Sequence, residues 1–263
     1  MNPSWSLTFQ EARWYCWHLA GADIFICRSG NCWQGFCTKL PWDERRGGCS
    51  GPVQEEPENA AYADKVIMNG ETAALRPCLP EKPFVVNLGG LHLFPGTEIS
   101  LEFQLPPRFR LITEENGAHP EPAEILFNFA PFILKETWYS QDTMKGAVGA
   151  SLSAVVPDTD NSGDTAGSSE SLPGIGCTML IRNRAKTTLD LDKVPLYTDI
   201  LAVYENDGKF VCDKPVIDVY GKDFHLSVKY VSGTLLTPAC RNGMGDTLIH
   251  WGTRIIKNIT GLS

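Results

Sequence analysis

The sequence predicts an all-β protein made of packed antiparallel sheets, in one or two sandwich-like units, with a C-terminal helix. Three observations support this class. Short runs carry apolar residues at every second position, 24 glycines and 18 prolines interrupt these runs, and long helical periodicity is scarce. Apolar residues make up 43% of the 263 residues and charged residues 21%, which is typical of a globular chain with a sizeable core.

The clearest strand is EISLEFQL (98–105), where Ile99, Leu101, Phe103 and Leu105 share one face and polar residues share the other. Comparable runs predict further strands at 5–10, 13–18, 22–27, 32–37, 64–69, 83–88, 107–113, 124–130, 132–139, 147–156, 176–183, 187–191, 200–205, 209–213, 215–220 and 224–231. Two hairpins are also predicted. One turns at Asp207-Gly208, a dipeptide that suits a type I′ turn, and the other turns at Gly221.

Three polar segments rich in Pro, Gly and Ser predict loops at 41–61, 114–123 and 157–174. The longest of them divides the chain. The predicted organisation is an N-terminal β region (1–156), a flexible loop (157–174), a C-terminal sandwich-like region (175–243), and a helix with a tail (244–263).

The C-terminal segment 245–259 has a helical apolar stripe formed by Leu248, Trp251, Ile255 and Ile259. A helix there would cover the edge of a sheet. Alternatively, it would dock on a protein partner or on a membrane surface, although its polar face carries only Arg254 and Lys257, too few to favour lipid strongly. In a docking helix Trp251 is a candidate binding residue.

The formal net charge of −8 disfavours a phosphate backbone as partner, and no basic stripe offsets it, so nucleic-acid binding is not expected. No apolar run reaches the ~20 residues that a bilayer span requires, so no integral membrane segment is expected. The N-terminus lacks the pattern of a secretory signal. These features predict a cytoplasmic protein whose nine cysteines are mostly reduced.

The stretch CRSGNCWQGFC is predicted to form a hairpin with Ser29-Gly30 at its tip, which places Cys27 opposite Cys32. Cys37 then points to the other face, so the three sulfurs cannot converge on one tetrahedral zinc ion. Free thiols are the preferred interpretation, and an easily reduced cross-strand disulfide between Cys27 and Cys32 is the alternative.

A calcium-like pattern begins at Asp158, Asp160 and Ser162. The twelfth loop position is Ser169 rather than an acid, because Glu170 comes one residue late. No helices are predicted on either side. A solvated linker is therefore preferred, and these three residues remain weak candidate metal ligands.

The densest polar and aromatic run is KETWYSQDTMKG (135–146). Glu136 and Asp142 are candidate paired acids, and Trp138 and Tyr139 are candidate binding residues beside them. The five histidines are scattered, and no nucleophile elbow, phosphate-binding loop, dinucleotide glycine motif or His-Glu-x-x-His helix occurs. No cofactor is predicted.

Four stretches in this order carry a family resemblance: ADIFICRSGNCW, RPCLPEKPFVVNLGGLHLFPGTEISLEFQLPPRFRL, LKETWYSQDTMKGAVGASLSAVV and CTMLIRNRAKTTLDLDKVPLYTDILAVYENDGKFVCDKPVIDVY. The chain from about Asp23 to Tyr230 resembles a prokaryotic family catalogued as domain of unknown function, family four-three-two. The resemblance implies a β-rich prokaryotic protein and no site residues.

Two functions are consistent with these features. The favoured one is a non-catalytic binding or accessory module that uses a sheet face or the C-terminal helix. The alternative is a β-sandwich hydrolase or carbohydrate-active enzyme, which would need Glu136 and Asp142 about 5–10 Å apart in one cleft.

Overall fold

The computed structural model describes residues 5–70, 72–80, 84–113, 125–133, 148–150, 174–198, 200–221, 223–237 and 249–250. These residues form strands, turns and two short 3₁₀ segments, Trp42–Glu44 and Ala60–Tyr62, and contain no α-helix. The all-β prediction is therefore confirmed for this part of the chain. No helix within these ranges is long and apolar enough to cross a membrane.

The strands in chain order are β1 (Ser6–Thr8), β2 (Arg13–Leu19), β3 (Ala22–Ser29), β4 (Cys32–Cys37), β5 (Leu40–Pro41), β6 (Cys49–Gln54), β7 (Asp64–Ile67), β8 (Thr72–Cys78), β9 (Phe84–Leu93), β10 (Glu98–Leu105), β11 (Arg108–Thr113), β12 (Ile125–Phe129), β13 (Phe132–Ile133), β14 (Val148–Ala150), β15 (Ile175–Asn183), β16 (Leu189–Leu196), β17 (Val203–Asn206), β18 (Lys209–Cys212), β19 (Lys214–Tyr220), β20 (Asp223–Lys229), β21 (Thr234–Thr237) and β22 (Ile249–His250).

The described residues fall into two compact units. The first comprises residues up to Cys78, those from Pro106 to Ile133, and Gly174. Its main sheet is antiparallel, with strand order β6-β2-β3-β4-β7. A second antiparallel sheet has the order β1-β8-β11-β12, and β5 pairs with β13.

One face of the five-stranded sheet is a core of aromatic rings. Trp17 and Trp33 are fully buried, and the ring of Phe9 contacts both of them. Gly35 on β4 leaves room for the ring of Phe129 on β12, since a Cβ at Gly35 would lie 2.9 Å from that ring. The two sheets of this unit therefore pack against each other across these rings.

The second unit comprises the remaining described residues, from Leu79 to Leu105, 148–150, and from Ile175 onward. Its largest sheet has the order β21-β17-β18-β15-β19-β20-β22, with β10 also paired to β15, and a three-stranded sheet has the order β14-β9-β16. The alternation predicted for 98–105 is confirmed, because Leu101 pairs with the buried Met179 and Leu105 pairs with the buried Ile175.

Both hairpins predicted in this unit are confirmed. Asp207 and Gly208 connect β17 to β18 with φ angles of 49° and 72°, the positive values that a type I′ turn requires. Gly221, with a φ of 69°, lies in the turn between β19 and β20.

The predicted C-terminal helix is not supported. Ile249 and His250, the described part of 245–259, form β22 and pair antiparallel with β20. The apolar stripe there fits helical spacing, but the segment also has several β-branched residues, and the edge of β20 supplies backbone partners that the sequence pattern does not reveal. The rest of the segment lies outside the described residues.

Four further strands, β5, β6, β8 and β21, lie where no strand was predicted. β6 falls within the predicted loop 41–61, and β8 contains Pro77, a residue that argues against a central strand. Tertiary pairing to β2, β1 and β11 outweighs the local pattern in both cases. The predicted division at 157–174 lies outside the described residues, so it stays a prediction.

Candidate metal centre

The second face of the five-stranded sheet carries titratable side chains. Along β2 the side chain of Trp17 belongs to the aromatic core, so its neighbours Cys16 and His18 point to the opposite face. The side chains of His18 and Asp23 are 39% and 31% exposed, whereas Cys16 is fully buried. The face thus combines one buried thiol with two groups that reach solvent.

The hairpin between β2 and β3 brings Asp23 beside His18. Its turn consists of Ala20 and Gly21, whose φ angles of 49° and 99° are the positive values of a two-residue hairpin turn. This turn sets a register in which His18 is paired with Asp23. Because directly opposite residues share a face, the carboxylate lies next to the imidazole.

Three potential donor atoms converge at this point. His18 Nδ1 lies 2.8 Å from Asp23 Oδ1 and 3.7 Å from Cys16 Sγ, and all three atoms lie within 4.8 Å of one another. Among the described residues, this is the one group of three His, Cys, Asp or Glu side chains whose donor atoms are this close. We call it the Cys16–His18–Asp23 group.

The spacing of these atoms is close to that of tetrahedral zinc ligands. Zinc bonds of about 2.3 Å to sulfur and about 2.0–2.1 Å to nitrogen and oxygen give ligand-to-ligand separations of about 3.3–3.6 Å. The sulfur–nitrogen distance of 3.7 Å is about 0.1 Å above this range. The nitrogen–oxygen distance of 2.8 Å is that of a hydrogen bond and needs to open by about 0.5 Å.

Glu55 contacts the other nitrogen of the same imidazole. Its Oε2 lies 3.3 Å from His18 Nε2, and its side chain is 47% exposed. The residue follows directly after β6, and its backbone N–H donates a hydrogen bond to the carbonyl oxygen of Trp14 at 3.2 Å. The imidazole of His18 is therefore bracketed by two carboxylates, one at each ring nitrogen.

An aromatic cluster lies beside the group on the same face. Phe25, which is paired with Cys16, stacks on Phe36 with ring centroids 5.0 Å apart, and Trp14 contacts Phe36 edge-on. Phe25 lies directly opposite the buried Cys16 on the neighbouring strand, so this cluster adjoins the sulfur. An apolar shell of this kind lowers the dielectric around a metal ion.

The thiol of Cys16 is strongly biased towards its protonated form. Burial raises its pKa well above the ordinary value, and the negative charges of Asp23 and Glu55 raise it further. A bound cation reverses this balance, because the metal–sulfur bond replaces the S–H bond and the proton is released to solvent. The two carboxylates that disfavour a free thiolate are the charges that favour a divalent cation.

The same features argue against Cys16 as a catalytic nucleophile. An activated thiol needs a lowered pKa and access to a substrate, and Cys16 has a raised pKa and no exposed surface. The nitrogen that faces the thiol, His18 Nδ1, also lies within hydrogen-bonding distance of Asp23. In a nucleophile–base–acid triad these two partners use opposite ring nitrogens.

The cysteines of the β3–β4 hairpin do not form a site. The predicted register is wrong by two positions on β4: the turn is Gly30-Asn31 rather than Ser29-Gly30, so Cys27 is opposite Gln34 and Cys32 is opposite Ser29. The division of faces is unaffected, because Cys37 pairs with Ile24 on the opposite face from Cys27 and Cys32. Cys27, Cys32 and Cys37 are free thiols in the structure.

The candidate residues proposed from the sequence lie elsewhere. All of them fall outside the described residues: Glu136, Trp138, Tyr139, Asp142, Asp158, Asp160, Ser162 and Trp251. Their roles stay predictions.

Sequence reasoning treated His18 as one of five scattered histidines and missed the group. The stretch CWHLAGAD (16–23) contains the sequence signal for the group. Cys16 and His18 occupy alternate positions of a strand, and Ala20-Gly21 is a two-residue turn that pairs His18 with Asp23. Glu55 had no signal, because β6 was predicted as a loop.

No family model, curated protein or solved structure matches the chain.

Proposed function

We propose that this protein is a non-catalytic binding module whose ligand is a divalent transition-metal ion of the zinc class. The ion is held on a sheet face by Cys16 Sγ, His18 Nδ1 and Asp23 Oδ1. The observation that carries this proposal is the convergence of three donor atoms within 4.8 Å.

The donor set selects the class of metal. Thiolate and imidazole suit zinc and its neighbours in the transition series, whereas magnesium and calcium prefer oxygen ligands only. Copper(II) binds nitrogen and sulfur donors still more tightly than zinc, so the test includes it as a competitor. The partial exposure of His18 and Asp23 leaves the fourth coordination position to water or to an external ligand.

A binding role is preferred to a catalytic one because of where Glu55 lies. Three protein ligands and one open position also occur in catalytic zinc sites, which need a base near the metal-bound water. Glu55 faces Nε2, on the opposite side of the imidazole from Nδ1, and so points away from that water. The ion instead links β2 to β3 and stabilises the hairpin.

Other predictions from the sequence concern the sheet arrangement, the family, the location and the alternative functions. A sandwich-like arrangement is supported in the first unit by the ring of Phe129 packed on Gly35. The resemblance to family four-three-two, the cytoplasmic location and the paired-carboxylate enzyme stay predictions. So does a partner docking on the C-terminal segment, of which Ile249 and His250 are described and form a strand.

The test is a titration of metal-free protein with Co²⁺, followed by displacement with Zn²⁺ and Cu²⁺. We expect one Co²⁺ ion per chain, with a thiolate-to-cobalt charge-transfer band that Zn²⁺ abolishes. Cys16→Ala removes the band. Cys27→Ala, which removes another buried cysteine from the same sheet face, retains it. A Co²⁺ spectrum without a sulfur band, or a band that survives Cys16→Ala, contradicts the proposal.

A further inference from the structure

We propose that Glu55 is the positioning residue of this metal site, acting as the outer carboxylate that orients His18. This inference rests on the proposed function and deepens it. Glu55 does not coordinate the ion. Its carboxylate accepts the hydrogen on Nε2 and so keeps Nδ1, the nitrogen that would bind the ion, turned towards Cys16 and Asp23.

The contact geometry supports this role. Glu55 Oε2 is 3.3 Å from His18 Nε2, close to hydrogen-bonding distance, while Nδ1 of the same ring faces Cys16 and Asp23. A histidine that binds a metal through one ring nitrogen almost always donates the hydrogen on the other nitrogen to a carboxylate, a carbonyl or water. Here that second partner is already in place.

The position of Glu55 is set by the backbone of β6. The pairing of β6 with β2 shifts between Cys16 and His18, and Gly51 lies in this irregular stretch with a φ of 125°. A Cβ on Gly51 would lie 2.7 Å from the carbonyl oxygen of Cys16, so the two strands approach too closely there for any side chain. Beyond the bulge, the hydrogen bond from Glu55 N–H to Trp14 fixes the chain from which the carboxylate reaches His18.

The role follows from the chemistry of the imidazole. In the structure Nδ1 lies at hydrogen-bonding distance from the carboxylate of Asp23, so a metal ion that binds this nitrogen displaces its hydrogen to solvent. The hydrogen on Nε2 then stays with Glu55, and a carboxylate partner of this kind strengthens the bond between an imidazole and its metal. Glu55 thus brings a third strand, β6, into a site whose ligands come from β2 and β3.

Glu56 provides a matched control. It is the next residue in the chain, it is exposed, and it lines the same surface pocket as Glu55, together with Glu11 and Trp14. Removing either carboxylate changes the charge of this surface by the same amount. A difference between the two variants therefore reports the contact with His18 rather than long-range electrostatics.

The experiment compares Glu55→Ala, Glu55→Gln and Glu56→Ala with the wild-type chain. Zn²⁺ affinity is measured by competition with a chromophoric chelator, and the ligand set is followed by the Co²⁺ spectrum. We expect Glu55→Ala to weaken Zn²⁺ binding about 10–100-fold while one ion per chain and the sulfur band remain. Glu55→Gln keeps a hydrogen-bond acceptor and falls between Glu55→Ala and the wild type, and Glu56→Ala stays within about threefold of the wild type.

The outcomes separate this inference from the proposed function. If the wild type binds one ion and Glu55→Ala binds as tightly as Glu56→Ala, Glu55 has no positioning role and the metal site stands. If Glu55→Ala changes the coordination number seen in the Co²⁺ spectrum, Glu55 is a direct ligand and the inference is wrong. If the wild type binds no ion, both are wrong. Should Glu55→Ala fail to fold, Glu55→Gln decides the question by the same measurements.

Discussion

Each unit of the molecule has a histidine paired with an aspartate across two antiparallel strands, and the two pairs differ in their surroundings. In the first unit His18 faces Asp23, with Nδ1 and Oδ1 2.8 Å apart. In the second unit His92 faces Asp190, with the same two atoms 2.5 Å apart. Cross-strand pairing alone therefore places an imidazole beside a carboxylate in both units.

The difference lies in the other side chains around each histidine–aspartate pair. His18 has Cys16 two residues earlier on the same face and Glu55 at its other nitrogen, whereas the position two residues before His92 is Gly90. The His92 and Asp190 side chains are also 70% and 58% exposed, about twice the values for the first pair. A two-donor surface pair contributes little to stability and offers a metal only weak binding. The comparison indicates that the buried thiol is what converts an ion pair into a candidate metal centre.

A buried thiol alone does not make a candidate metal centre either. Cys177 and Cys212 in the second unit are as buried as Cys16, but they lie in an aliphatic core. Their sulfurs contact each other, and that hydrogen bond, followed by burial, raises the pKa of Cys177 well above its ordinary value. Neither belongs to a group of three close His, Cys, Asp or Glu donor atoms among the described residues, so these cysteines pack as small apolar residues.

The largest expected effect is the contrast between His18→Ala and His92→Ala in zinc-dependent stability. A saturating ligand at 100 times its dissociation constant stabilises the folded chain by about 2.7 kcal/mol. We expect Zn²⁺ to raise the melting temperature of the wild type and of His92→Ala equally. His18→Ala should lose this rise, because removing a ligand weakens binding by more than the ~10–100-fold cost of removing an outer-shell partner. If His18→Ala and His92→Ala lose the same part of the zinc-dependent rise in melting temperature, zinc binds exposed His–Asp pairs in general. The contrast between the two pairs would then be wrong.

The second prediction concerns the backbone that carries His92. Asn183 is fully buried, and its Nδ2 donates to the carbonyl oxygens of Leu93 and Thr187, both at 2.8 Å. Its Oδ1 accepts from the backbone N–H of Ala185. Asn183→Ala removes one buried and two partly buried hydrogen bonds, and at about 1 kcal/mol for each bond we expect it to lower the free energy of unfolding by about 3 kcal/mol.

Asn206→Ala, at an exposed position in the same unit, is the control, with a change below about 0.5 kcal/mol in chemical denaturation. If zinc binding were affected by Asn183→Ala as strongly as stability, the metal would not belong to the first unit.

The second unit shows which elements the sequence predicts and which it does not. The strands of the second unit follow clear alternation, as at Leu101 and Leu105, and their turns carry glycine, as at Gly208 and Gly221. These signals are local, so the elements could be predicted. The C-terminal segment failed because its strand depends on the edge of β20, which is distant in sequence.

The candidate metal centre lies between these cases. The positions of Cys16, His18 and Asp23 follow from strand alternation and a two-residue turn, both of which are local rules. Glu55 could not be predicted, because its contact requires β6 to pair with β2 across a bulge. β6 contains Gly51 and Pro52, residues that predict a loop. A site assembled within one hairpin can be predicted from sequence, because its rules are local. A site that also needs a third strand cannot, because that pairing is not local.

The smallest expected effect tests that bulge directly, through Gly51→Ala and its control Gly47→Ala. Both glycines have a positive φ, 125° at Gly51 and 77° at Gly47, so both variants suffer backbone strain of about 1–3 kcal/mol. At Gly47 an added Cβ meets nothing within 4 Å, whereas at Gly51 it lies 2.7 Å from the carbonyl oxygen of Cys16.

Gly51→Ala must therefore push β6 away from β2 and carry Glu55 away from His18. We expect Gly51→Ala alone to weaken Zn²⁺ binding measurably, by up to the ~10–100-fold loss of Glu55→Ala, while Gly47→Ala binds as the wild type does. If the two variants bind Zn²⁺ equally, the close approach at Gly51 does not position Glu55, and the site depends on the hairpin alone.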